Sequence, residues 1–167
     1  MKIHLPAFVG SLKTIPSRKD WPSAVSHDLS WRSVLDIDDV TVAGLQLRVE
    51  AHELLEDEAV RVQLEYHPPR GKCEPLARVE WRPLSYHNNK HRGPTELRLR
   101  PFRSTHVHPF EFNWLEAENR MLTGNLPFAL PLQDVDSYKD FLDICGGILN
   151  ISNMLVIPVP PWRPRML

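Results

Sequence analysis

The 167-residue chain is 42% hydrophobic and 25% charged, the proportions of one ordinary folded domain, which excludes disorder along most of its length. Twenty basic and 21 acidic residues leave a net charge of −1, so no global field draws the molecule to nucleic acid or to a membrane, and only a local patch can do so. Sixteen prolines against seven glycines favour short strands and rigid connections over a helix bundle, because proline removes a backbone donor.

Residues 1–40 mix prolines, tryptophans and acids and read as an irregular segment. From Thr41 to Glu53, Leu45, Leu47, Val49 and Ala51 alternate with polar residues, the period of a half-buried strand. An acidic tip leads into AVRVQLEYH, where Val60, Val62, Leu64 and Tyr66 share one face; the two runs predict a hairpin. LARVEWRPL, ending before the polar loop 85–94, predicts a third strand. ELRLRPFRSTHVHPFEF, over 96–112, predicts a fourth, bent at Pro101. The proline-punctuated stretch 119–133 is expected to cross the sheet surface. Tyr138, Phe141, Leu142 and Cys145 then fall at helical spacing, and Gly146-Gly147 is expected to stop that helix. MLVIPVP reads as a last short strand, before a proline-rich tail over 158–167.

The reading is therefore a single α+β domain: an antiparallel sheet of about five strands with one helix, near 136–146, packed on one face, and a sheet-and-helix core over 41–157. No apolar run approaches the roughly 18–20 residues of a membrane span, and the opening residues lack a secretory core, so a cytoplasmic protein without membrane contact is expected. The two cysteines, Cys73 and Cys145, have neither the spacing nor the number of a scaffold and are expected to be free thiols.

Chemistry concentrates in one region. Four of the eight histidines, His87, His91, His106 and His108, lie within 22 residues, and seven basic residues face two acids between Arg78 and Arg103, a local excess of +5. His106 and His108, two apart on a predicted strand, project from the same face. If the alternation runs unbroken through Pro101, Arg98 and Arg100 share their parity. One reading is a metal-independent endoribonuclease site that needs no cofactor: His106 and His108 transfer protons, His87 is the third imidazole, and Arg98, Arg100 and Arg103 contact phosphate. A second is a metal site of His87, His106 and His108, with Glu111 as a further oxygen ligand, although neighbouring arginines would repel a divalent cation. The third is bland: surface histidines, with arginines paired to the acids of the hairpin, Glu50, Glu53, Glu56, Asp57 and Glu58.

The order Arg78-Val79-Glu80, His87-Asn88-Asn89, Thr105-His106-Val107-His108, Leu126 to Leu132, Phe141-Leu142 and Asn150-Ile151 resembles a bacterial domain family found in phage and mobile elements. That family has a basic strand, an H-N loop, a T-H-x-H strand and a helix ending in N-I. The resemblance covers roughly residues 76–155. The chain is also distantly similar to TumE-type toxins of toxin–antitoxin pairs, although Pro109-Phe110-Glu111-Phe112 replaces the aromatic and glycine usual after the H-x-H. The resemblance implies a small α+β domain and, through the distant toxin link, a toxin-like or defence-related protein that attacks RNA or interferes with a cellular process. Its partners would then be RNA and a protein such as an antitoxin. The alternative is a non-enzymatic phage or mobile-element factor that docks on a host or defence complex through its proline-edged sheet and acidic hairpin.

Overall fold

The computed structural model describes residues 4–163. Four long strands form the body of a sheet: β1 (Asp28–Ile37), β2 (Val40–His52), β3 (Val60–Tyr66) and β4 (Glu74–Trp81). Two short ones, β5 (His106–His108) and β8 (Leu130–Pro131), complete a six-stranded antiparallel sheet in the order β1-β2-β3-β4-β5-β8. The intervening β6 (Trp114–Leu115) and β7 (Arg120–Met121) form a separate ribbon. Among the described residues three α-helices accompany the strands: α1 (Leu5–Gly10), α2 (Phe110–Asn113) and α3 (Tyr138–Leu149). The α+β architecture read from the sequence is the one observed, with one strand more, and none of the described helices is long and apolar enough to cross a membrane. Both cysteines are free.

The core lies on one face of the sheet. In register, Trp31, Val49, Val62, Val79, Val107 and Leu130 form a row across all six strands. Helix α3 lays Phe141, Leu142 and Cys145 on this face, and the Phe141 ring stacks on Trp81 at 5.3 Å. Its start is set by Ser137, whose hydroxyl accepts from the backbone N–H of Asp140.

Four local expectations are corrected. Residues 28–37 are not irregular: Leu29, Trp31, Ser33 and Leu35 point inward and alternate with exposed neighbours as in any half-buried strand. Only His106–His108 of the fourth predicted strand pairs with the sheet, because Thr95–Leu97 is a 3-10 turn and Leu99 has φ +59°, which ends the alternation before Pro101. Helix α3 runs through Gly146-Gly147 to Leu149 and ends at Asn150 in the left-handed region. A Cβ on Gly146 would meet the Ile151 carbonyl oxygen at 2.9 Å, so that glycine serves close packing, not termination. The segment MLVIPVP holds a 3-10 turn, Met154–Val156, instead of a strand. Of the proline-rich tail, residues 164–167 lie outside the described residues.

Candidate active site

The β4–β5 register decides what the second sheet face carries. Arg78 stands opposite His108, Val79 opposite Val107 and Glu80 opposite His106. Since alternate residues point to opposite faces, the two valines enter the core while Arg78, Glu80, His106 and His108 share the polar side. The same parity continues outward: Gln63 neighbours Arg78 and Arg61 neighbours Glu80 on β3, and Arg48 and Glu50 follow on β2. Ion pairs link them, with Arg61 3.3 Å and Arg78 3.5 Å from the Glu80 carboxylate.

The loop 85–92 folds over the end of this row. A pair of backbone hydrogen bonds ties His87 to Phe102, and the loop tightens through Lys90 and His91, both at positive φ. It closes at Gly93 (φ +77°), where a Cβ would overlap the Phe128 ring at 1.6 Å, so only glycine permits this approach. His87 is thereby brought to His106 and His108, with ring centroids 5.6 and 4.8 Å away. His106 and His108 are almost wholly buried and their Nε2 atoms are 3.1 Å apart.

Hydrogen bonds fix where each imidazole carries its proton. The His106 Nδ1–H donates to the Ser104 carbonyl at 2.8 Å, and the His108 Nδ1–H donates to the Leu126 carbonyl at 2.7 Å. Carbonyl oxygens only accept, so in the neutral rings both Nε2 atoms bear lone pairs. His87 is oriented in the opposite sense: its Nε2–H donates to Asn89 Oδ1 at 2.7 Å. The amide of Asn89 is held by Ala129, whose N–H donates to Oδ1 and whose carbonyl accepts from Nδ2, each at 2.9 Å. The remaining lone pair of a neutral His87 is therefore on Nδ1. One ligand atom from each of the three rings lies within 4.8 Å of the others, and both Nε2 atoms are 3.8 Å from a Glu80 oxygen.

Burial is the first reason the pKa values of His106 and His108 lie below the ordinary imidazole range. For His108 the Arg78 charge adds to it; for His106 the Ser104 carbonyl and Glu80 oppose it without reversing it. These rings hold nitrogen lone pairs at neutral pH and are poor proton donors. Burial also lowers the Arg78 pKa, which is held in place by Gln63 and Asn125.

The three rings floor a cleft of about 630 Å³ whose walls carry Arg61, Arg78, Lys90 and Arg92 against the single carboxylate Glu80, with Tyr86 on the rim, 71% exposed. A second hollow of about 500 Å³ shares Arg61, Glu80 and Ser85 with it and continues the trough along β1 and β2.

Of the residues nominated from the sequence, His87, His106 and His108 converge, whereas Arg98, Arg100 and Arg103 do not line this cleft. Arg98 donates to the Gly93 carbonyl, Arg103 donates to the Pro83 carbonyl, and Arg100 is exposed in the irregular stretch after Leu99. Parity failed because the chain leaves strand conformation before Pro101. His91 is exposed on the turn, and Glu111 is exposed on α2 and absent from the cleft lining. Residues not nominated are Glu80, Arg78, Arg61, Lys90, Arg92 and Asn89. The signal for Glu80 and Arg78 was their alternation on β4, which sets them beside any strand pairing there. No protein-family model matches the chain, and neither a curated protein nor a solved structure matches it.

Proposed function

We propose that the cleft binds single-stranded RNA and cleaves its phosphodiester backbone, as a toxin-like or defence-related endoribonuclease acting in the cytoplasm. The observation that carries this reading is the convergence of three imidazoles, two of them buried with Nε2 lone pairs 3.1 Å apart, on the floor of an open cleft walled by four cations. Cations beside a phosphate stabilise the charge that builds on its oxygens as the bond breaks. RNA brings its own nucleophile. Its 2′-oxygen attacks the adjacent phosphorus, the P–O2′ bond forms as the P–O5′ bond breaks, the 2′ proton passes to the cleft floor, and water protonates the leaving 5′-oxygen. The exposed Tyr86 ring offers a stacking surface for an unpaired base.

The competing idea, an acidic hairpin that docks on a basic partner, draws less support. Glu50 is already paired with Arg48 and Arg61, and Glu53 with His27 and Arg163.

The test incubates the purified protein with matched RNA and DNA oligonucleotides and, in parallel, follows growth and total RNA after induction. RNA fragments ending in a 2′,3′-cyclic phosphate, with intact DNA, are expected from the wild type and not from a folded His106→Ala/His108→Ala variant. Intact RNA and normal growth with the folded wild type would refute the proposal.

A further inference from the structure

We propose that His87, His106 and His108 are the ligands of a divalent transition-metal ion of the zinc class, bound through His87 Nδ1, His106 Nε2 and His108 Nε2. The fourth position of the ion opens on the cleft. This inverts the metal-independent expectation drawn from the sequence. It rests on the RNA-cleaving reading only for what fills that fourth position.

Three features carry the proposal. The first is the face-to-face placement of the His106 and His108 lone pairs, which repel one another at 3.1 Å unless a positive charge lies between them. An ion about 2.0–2.1 Å from each nitrogen would subtend about 98°, within reach of tetrahedral coordination. The second is the third lone pair, on His87. A proton shared by two nitrogens gains nothing from a third, whereas a metal ion requires it. Tetrahedral spacing is about 3.3 Å between nitrogens, and one nitrogen of His87 lies within 4.8 Å of the ligand atoms of the other two rings. The third is the outer shell: each imidazole gives its other N–H to an oxygen, Ser104 O, Leu126 O or Asn89 Oδ1, the arrangement that fixes tautomer and orientation in metal-binding histidines.

The objection that arginines repel a dication is met by Glu80. Its carboxylate stands between the guanidinium groups of Arg61 and Arg78 and the histidine nitrogens, 3.3 and 3.5 Å from the former and 3.8 Å from the latter. The positive charge that remains selects an anion for the open position, which the phosphate group of a nucleic acid supplies.

The same chemistry does not extend to Glu65, His67 and Cys73. Glu65 is already held by Arg32, Arg48, Gln63 and His67, and burial and the nearby carboxylate push the Cys73 thiol up to about 11, away from the thiolate a metal needs.

The experiment titrates the metal-stripped protein with Co²⁺, read by its visible ligand-field bands, and then displaces the ion with Zn²⁺. One ion per chain is expected, with affinity falling more than tenfold in His106→Gln and in His108→Gln, since loss of an outer-shell partner alone is worth about 10–100-fold. If those buried variants unfold by circular dichroism, His87→Gln on the surface loop carries the test with the same expected loss. A folded wild type that binds no ion saturably, or variants that bind as well as wild type, would overturn the site. Ion binding without RNA cleavage overturns the function proposed above and leaves the site standing. Undiminished RNA cleavage by a protein shown to bind no ion does the reverse.

Discussion

Asn89 shows how single side chains replace missing secondary structure in this molecule. The segment Leu126–Ala129 leads into the edge strand β8 without pairing in the sheet, and buried backbone groups still need partners. Asn89 clamps both backbone groups of Ala129, and Asn113 clamps both of Phe128, with all four distances at 2.9 Å. His108 holds the Leu126 carbonyl beside them. Asn89→Ala leaves two buried backbone groups unsatisfied, and a loss of about 2–5 kcal/mol in urea unfolding is expected. A change under about 0.5 kcal/mol would mean that the amide clamp is dispensable. At Gly93 the backbone conformation and the Phe128 ring act together. Gly93→Ala should therefore loosen the 85–92 loop, read as faster amide exchange at Asn88–Arg92, and an unchanged exchange pattern would contradict this.

At the scale of elements, the polar face of the sheet is a chain of alternating charges. Arg32 and Arg48 bracket Glu65, Arg48 and Arg61 bracket Glu50, and Arg61 and Arg78 bracket Glu80. Glu65 is its most buried link. Burial opposes ionisation there, but hydrogen bonds from His67 and Gln63 and the charges of Arg48 and Arg32 outweigh it, so its carboxyl titrates below the ordinary 4.5. A depressed carboxylate stabilises the fold above its unfolded pKa and loses that contribution as pH falls through the folded value. Glu65→Gln should thus be less stable than wild type by about 2 kcal/mol at pH 7, and the gap should narrow as pH falls below about 4.5. Urea midpoints at neutral and acid pH check this, and a constant gap would show that Glu65 titrates alike in both states.

The same elements show what was legible. β2, β3, the strand part of β4 and the amphipathic helix α3 were readable because their periods of two and 3.6 are unbroken. β1 carried the same signal in Leu29, Trp31, Leu35 and Ile37, but a serine at the inward position 33 and the surrounding prolines and acids masked it. The histidine trio was legible from clustering alone. Its cationic walls were not, because Lys90 and Arg92 reach the cleft through left-handed turns and a glycine approach that no periodicity encodes, and Arg61 through pairing across β3 and β4.

At the scale of the whole molecule, a net charge of −1 means that any affinity for RNA comes from a local patch such as the histidine cleft and not from long-range attraction. The cations there are not equivalent. Arg61 and Arg78 are committed to Glu80, whereas Lys90 and Arg92 form no salt bridge among the described residues. Only the last two have counterions to release when a strand binds. Release of about 0.7 ions per neutralised phosphate on single strands gives an expected slope near −1.4 for log affinity against log salt. Fluorescence anisotropy with a labelled single-stranded oligonucleotide measures it. Lys90→Ala/Arg92→Ala should bind more weakly at low salt and with a nearly flat dependence, while the wild type converges on it as salt rises. A steep slope that survives in the double variant would place the RNA elsewhere on the surface. A slope much steeper than −1.4 in the wild type would mean that cations outside the histidine cleft also contact the strand.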